Sequence, residues 1–370
     1  MRIERLDTLD GLQRQQDEWA ALHRRLAGVS LFNSPDWVLN WLTHFAPTQP
    51  LHALLARDAN GLQAVWPLVA QRSRWRRLPL TALVACTNAH SVRSALLVDP
   101  ARADAAWAAL EQSLRGAGGW DLLLLDGCDA GAGAASQVPP LARELPVQAW
   151  QHAWLAVHGD WPAYLASRSH DLRRNLRRTE RGLAALGRLD FELIEGDAER
   201  LFGLWVQLDR ASWKAEHGET VDSSECTAGY YRGLLRRLTA AGNLLSGLLW
   251  LDGVPLALVV AAQQRGVLYT LKTAMRSDLS SARLSLGTLV MARLLEAAWQ
   301  RPGLRGVDFV SRQDYTDRWT GQCRSFERRG ALAQTWRGHL AGWLDRAAGL
   351  RGAARASGAA PTRPDVTPVD

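Results

Sequence analysis

Lysine is almost missing from this chain. Of its 44 basic residues, two are lysines, Lys214 and Lys272, and arginine supplies the rest of a formal charge of +7. Arginine's planar fork suits bidentate binding of carboxylate and phosphate. Cysteine is scarce too. Cys86, Cys128, Cys226 and Cys323 lie far apart, with no C-x-x-C pair and no partnered histidines, which argues against a disulfide framework and a zinc site. Each reads as a buried structural thiol in preference to a nucleophile. No window approaches the roughly 18 apolar residues of a membrane span, and the longest apolar runs, such as VPLALVVAA, have strand length. The start, MRIERLDTLDGLQRQQDEW, is charged and lacks an apolar core, so no secretory signal is read there and a cytoplasmic location follows by default. A Ser-His-Asp order, a Walker loop, an H-E-x-x-H helix and spaced metal ligands are all lacking.

What is present is globular. The 370 residues are 47% hydrophobic, enough for two ordinary domains or one large one. The 17 tryptophans are scattered and read as core or rim packing. Two halves echo each other. LHALLARDANGLQAVWPLVAQRS reads as strand, Asp-Ala-Asn-Gly turn, strand; NLLSGLLWLDGVPLALVVAAQQRG repeats the plan around Asp-Gly. Each half continues with a helix, about 102–115 and about 285–300, and an apolar strand, WDLLLLDG from Trp120 and GVDFVS from Gly306. The offset between halves is roughly 190 residues, which means tandem domains and not a solenoid. The expected fold is α/β (α+β mixed sheet), with domains over 1–150 and 151–345. Helical periodicity over 160–187 and 197–240 fills the middle, with Gly187 and Gly242 as stops. The tail from Arg351 is rich in Ala, Gly and Pro and reads as disordered.

The stretch 267–319 carries the most information: strand, polar loop, helix, strand, then a polar and aromatic loop. The helix opens at Ser285-Leu286-Gly287-Thr288. A Ser cap followed by Gly leaves first-turn amides bare, a ready seat for a pyrophosphate. Leu286, Val290, Leu294 and Ala297 are expected on the sheet, with Arg293, Glu296 and Gln300 outward. The next strand, parallel to the first, delivers Asp308 and then Tyr315 to the carboxyl edge, where open α/β sheets bind ligands. Asp308 is either a structural acceptor or a general base with a raised pKa. Tyr315 is a proton donor or a packed edge residue. Lys272 and Thr273, late in the preceding strand, read as substrate-facing or, for the lysine, as a snorkelling edge residue. Asn88, His90 and Arg93 form a polar cluster in the first half that lines a pocket or an ordinary loop.

DLRRNLRRTERGLAAL is an unusual helix. Leu172, Leu176, Thr179, Leu183 and Leu186 share one face; Arg173, Arg174, Arg177, Arg178 and Arg181 share the other, with Glu180 alone near enough to answer several of them. Such a face either binds an anionic partner or is solvated and screened. Nucleic acid is disfavoured because no aromatic residues are interleaved with these arginines.

These strings in this order, RRNLRRTERGLAALG, LDGVPLALVV, SLGTLV and VDFVSRQDYTDRW, with SPDWVLNWL, WPLVA and TNAHS before them, resemble the CelD/FemAB-like acyltransferases of the GNAT superfamily over most of 30–335. The ordered set carries the resemblance; no single motif does. It implies tandem duplicated GNAT-like domains, with the helical insertion between them. It implies an acyl-CoA donor such as acetyl-CoA, no metal, and an amine or hydroxyl acceptor on a small molecule or saccharide of polysaccharide synthesis. Ser285 to Thr288 would hold the pyrophosphate, with Lys272 and Thr273 nearby, and Arg173, Arg174, Arg177, Asn88 and His90 would meet the acceptor. Asp308, or a water it orders, would take the acceptor's proton. An amide near Thr273 or Ala274 would hold the oxyanion, and Tyr315 would protonate the leaving thiolate. One departure stands out: the family's late motif often reads Tyr-Lys, and here Thr316 follows Tyr315, which puts that lysine's role in doubt. Two rivals remain, a FemX-like transferase using charged tRNA and a non-catalytic scaffold.

Overall fold

The computed structural model describes residues 1–353, apart from 76, 95, 131–142, 146–147 and 279–283. The chain divides into two compact units, one made of Met1–Trp150 with the chain from Ser325 onward, the other of Gln151–Arg324.

In the first unit, Asp58-Ala59-Asn60-Gly61 turns the chain between two apolar strands, and the Asn60 amide donates to Asp58 Oδ1 at 2.8 Å. Its strands are β1 (Arg2–Leu6), β2 (Leu51–Asp58), β3 (Gly61–Trp75), β4 (Leu78–Ala85), the two-residue β5 (Leu97–Val98), β6 (Leu122–Asp129), the two-residue β7 (Arg143–Glu144), and, from the far end of the chain, β14 (Cys323–Leu332). Helices α1 (Leu9–Gln13), α2 (Gln16–Arg25) and α3 (Pro35–Phe45) precede β2, and α4 (Ala103–Ala117) joins β4 to β6. The order β1-β2-β3-β4-β6-β14 is antiparallel except for β4 and β6, which run parallel through Ala82↔Leu122 to Val84↔Leu124. Strand alternation sorts the core. Leu83, Leu123 and Leu125 pack under α4 with Trp107 and Leu110, while Ala82, Leu122 and Leu124 face Ala341 of α11 (Trp336–Ala353). The helix α11 thus runs through residues expected as tail; residues 354–370 lie outside the described ones.

The second unit repeats the plan. Its strands are β8 (Gln148–Ala156), β9 (Leu189–Ile194), β10 (Ser246–Leu251), β11 (Val254–Gln264), β12 (Val267–Met275) and β13 (Gly306–Asp308), in the order β9-β10-β11-β12-β13-β8. Again the fourth and fifth run parallel, from Val267↔Gly306 to Tyr269↔Asp308, and again a helix, α10 (Leu286–Trp299), joins them. The helices expected over 160–187 and 197–240 resolve into α5 (Trp161–Ala166), α6 (His170–Ala184), α7 (Ala198–Arg210), α8 (Trp213–Glu216) and α9 (Glu225–Ala240). The mixed α/β fold is as the sequence indicated. One feature departs from it. The two sixth strands differ in origin: β8 opens the second unit and pairs with β13, whereas β14 follows the second unit's strands and returns to pair with β6 of the first. Residues 325–345, expected with the second domain, therefore pack with the first.

Two side-chain expectations also shift. The helix α10 is covered by the sheet and by α6, so Leu289, Met291, Leu295 and Ala298 are buried together with Leu286, Val290 and Leu294, and Ala297 is half-buried. Leu172, Leu176, Thr179 and Leu183 are buried on α6 as expected, but Leu186 lies past the helix end and is 56% exposed.

Candidate active site

Ser285 precedes α10 without capping it by its side chain. Its hydroxyl accepts from Asn175 Nδ2 at 3.0 Å and its amide donates to Thr179 Oγ1 at 3.1 Å. The α6 helix thus holds the serine in place and leaves the α10 first turn bare, with the helix dipole favouring an anion there. A Cβ at Gly287 would meet the end of the Met275 side chain at 2.7 Å, so α10 packs its first turn against the side chains at the end of β12. Arg318, which sequence reasoning did not single out, reaches Thr288 Oγ1 at 3.4 Å and adds a cation to this corner. Its sequence signal, Asp-Arg-Trp after the aromatic loop, is too short to be read alone. Close by, Asn175 Oδ1 and, on the same helix, Arg173 Nε are buried without a hydrogen-bond partner among the described residues.

Pairing with β13 ends at Tyr269, and β12 runs six residues further. The Thr273 carbonyl accepts from Lys214 Nζ at 3.2 Å. In an antiparallel strand the N–H and C=O of one residue point to the same side, so the Thr273 amide also faces this open edge. Thr273 shares its face with Met275 and α10. Alternation sends Lys272 to the opposite face, under α7 and α9, 5.9 Å from the Tyr231 ring centroid. The two residues expected together at the donor are therefore separated by the strand.

Lys272 has company that sequence reasoning missed. Lys214 Nζ lies 2.9 Å from Asp209 Oδ1, and Asp209, fully buried at the end of α7, also accepts from the Val221 amide at 2.9 Å. Burial lowers the Lys272 pKa, and the charge of Lys214 lowers it further, against the pull of Asp209. Lys214 thus contacts the Asp209 carboxylate directly, and Lys272 feels the charge of both in a half-buried site. A signal existed: a chain that otherwise uses arginine spends both of its lysines here.

Asp308 is buried at the end of β13. Its Oδ1 accepts from the Val310 amide at 2.9 Å, and Val310 holds φ +55°, a left-handed conformation that costs a β-branched residue about 1–3 kcal/mol. Beyond it, Tyr315 is exposed, its hydroxyl 3.3 Å from Ser311 Oγ. Thr316 is fully buried and its hydroxyl donates to the Gln313 carbonyl at 2.7 Å. The loop ends on buried Trp319, whose carbonyl accepts from Tyr164 Oη at 2.7 Å and Arg168 Nη1 at 2.8 Å. Burial pushes the Tyr164 hydroxyl up to about 12.

The arginine face of α6 divides. Arg173 is half-buried; Arg174, 3.3 Å from Asp171, is exposed, as are Arg177, Arg178 and Arg181. Glu180, expected to answer several of them, pairs instead with Arg293 of α10. In the first unit, Asn88 closes a turn: its Oδ1 accepts from the His90 and Ser91 amides at 2.9 and 3.0 Å, and His90 stacks on Phe45 with ring centroids 5.4 Å apart. Both side chains thus make local contacts in this loop. Cys86 and Cys128 are buried, and burial pushes the Cys128 thiol up to about 12, so neither is a thiolate nucleophile. Among the described residues no group of His, Cys, Asp or Glu is placed to hold a metal, and no helix is long and apolar enough to cross a membrane.

Residues 170–319, which hold α6 to α10, β13 and the Tyr315 loop, match the family described as Acetyltransferase (GNAT) domain. The matched stretch lies within the second unit and supports acyltransferase activity for the protein. No curated protein matches the chain. Among solved structures, FemX is similar with a TM-score of 0.58 at 12% identity, over 88% of this chain and 97% of that one. A conserved protein of unknown function from Bacteroides thetaiotaomicron VPI-5482 gives 0.55 at 10%, over 90% and 100%. The C-terminal domain of a putative lysylphosphatidylglycerol synthetase from Agrobacterium fabrum gives 0.51 at 12%, over 92% and 96%. At such identities the likeness speaks to the fold.

Proposed function

We propose that the protein moves an acyl group, such as acetyl, from a CoA thioester to an amine or hydroxyl of a small molecule or saccharide. The observation that carries this reading is the uncapped first turn of α10, with Arg318 beside it, at the carboxyl end of a parallel strand pair. The amides of Leu286, Gly287 and Thr288 and the Arg318 guanidinium hold the diphosphate. The unsatisfied Asn175 Oδ1 accepts from an amide or hydroxyl of the same molecule. The Thr273 amide, on the open edge of β12, steadies the carbonyl oxygen as charge develops.

Proton traffic follows from the two faces of β12. Lys272, with its pKa lowered by burial and by Lys214, takes the proton of the attacking amine or hydroxyl. Tyr315 gives its proton to the departing thiolate. Asp308, expected as the base, acts instead as a positioning residue: by holding Val310 it sets the path of the chain toward Tyr315.

The reading is tested by a thermal-shift series of CoA thioesters. A donor at a hundred times its Kd adds about 2.7 kcal/mol of stability. Tyr315→Phe should lower turnover by about a hundredfold while keeping that shift; unchanged turnover removes Tyr315 from the mechanism. A second reading, aminoacyl transfer from charged tRNA, is favoured by the exposed Arg174, Arg177, Arg178 and Arg181 on α6. Salt-sensitive retention of tRNA, with no shift by any CoA ester, would replace the first reading with this one.

A further inference from the structure

The helix α11 lies on the first unit the wrong way round for an ordinary surface helix. Its buried positions are small: Gly338, Ala341 and Gly342, with Ala341 against Leu80, Ala82 and Leu124. Three large apolar side chains point to solvent, while Leu344 is half-buried. Trp336 is 69% exposed, Leu340 37% and Trp343 60%. At spacings of four and three residues they form one stripe. The helix is firmly seated, so this orientation is fixed. Thr335 Oγ1 donates to Asp121 Oδ1 at 2.7 Å and accepts from the Gly338 amide at 3.0 Å. Cations border the stripe: Arg337 and Arg346 are exposed, and the Arg337 guanidinium lies 5.1 Å from the Trp336 ring centroid. The single carboxylate of this stretch, Asp345, is half-buried on the side away from the stripe.

We infer that α11 docks in the plane of a membrane that displays anionic headgroups, sinking Trp336, Leu340 and Trp343 into the interface. Indoles prefer that depth, and basic flanks answer anionic lipid. The charges choose between occupants. A second copy docked face to face would set Arg337 and Arg346 against their own kind. Residues 354–370 contain no aromatic residue, leucine, isoleucine or methionine, and so offer nothing of a size to cover two indoles. A headgroup layer satisfies both the stripe and its border. The surface belongs to the first unit and does not depend on the donor site.

The test is co-sedimentation of the full chain with vesicles of phosphatidylserine and phosphatidylcholine, beside vesicles of phosphatidylcholine alone. Pelleting is expected on the anionic vesicles and should fall as salt rises. Trp336→Ala with Trp343→Ala should weaken it by about tenfold or more, with an unchanged melting temperature because both rings face solvent. Arg337→Glu with Arg346→Glu should weaken it on the anionic vesicles. No pelleting of the natural chain, or equal pelleting of the tryptophan variant, overturns the inference. So does a dimer in analytical ultracentrifugation that the tryptophan variant loses while vesicles capture neither protein.

Discussion

In the second unit, the helix between the parallel strands begins at Ser285 with a bare first turn, no acidic residue, and Arg318 at hand. In the first, the matching helix α4 begins after a short 3-10 turn, Pro100–Arg102, with Asp104 in its first turn and Asp99 just ahead. Asp99 there caps the turn through the Ala101 amide and pairs with Arg25, and the first turn of α10 has no such carboxylate. The strands differ in the same sense. Beyond the β4–β6 pair, the chain from Ser91 to Ser94 folds against β6 so closely that a Cβ on Gly127, at φ +78°, would lie 2.5 Å from Arg93 Cα. Arg93 itself is buried, 3.9 Å from the Phe326 ring centroid. The corresponding edge of β12 is met by Lys214. One topology thus appears twice, with a bare first turn in one unit and an acidic one in the other. A strand order constrains backbone pairing and says nothing about the side chains at its mouth.

Three substitutions would break or sharpen this contrast. The largest effect is expected at Lys272, which has no counterpart across the first unit's edge. Lys272→Met should cut turnover by about a hundredfold or more and raise the melting temperature. The sign follows from linkage. The folded-state pKa lies below the unfolded value, so below the folded pKa the full cost of burying the ammonium is present, and it disappears as pH rises toward the unfolded value. The stability gain of the variant should therefore shrink at high pH. A loss of stability at neutral pH would contradict the burial argument. Next, Thr288→Asp gives α10 the acidic first turn of α4. It should strengthen the helix by about 0.5 kcal/mol and weaken binding of a CoA ester by about tenfold, opposite signs that calorimetry and thermal melts separate. Parallel changes would mean that the first turn holds no anion. The smallest effect is expected for Asp104→Asn. Removing the acid alone should leave donor affinity unchanged, because the 91–94 segment still fills the strand edge; new CoA binding would show that charge alone had silenced this half.

Local patterns were legible because they depend on near neighbours. The Asp-Gly hairpin, the buried stripe of α6 and the start of α10 at Leu286 all follow from periodicity and turn chemistry. Contacts between distant segments were not. Glu180 sits among arginines in sequence and pairs with Arg293 in space. The placement of Lys272 depends on the register irregularity between Val260 and Ala261, which no spacing in the sequence reveals. Asn88 looked like pocket chemistry and is a turn, because an Asn side chain binds the amides just after it as readily as a ligand. The residues proposed for the site split the same way: Ser285 to Thr288 were readable as a helix start, while Arg318, Lys214 and Asp209 required the fold.

The returning strand β14 makes the first unit a poor candidate for separation. A polypeptide cut after Trp150 would leave β6 with a naked hydrogen-bonding margin, an invitation to fibrils or mispaired neighbours. On the ribosome the same wiring imposes a schedule. The N-terminal sheet must wait for the strand that begins at Cys323, by which time the whole second unit has already been synthesised.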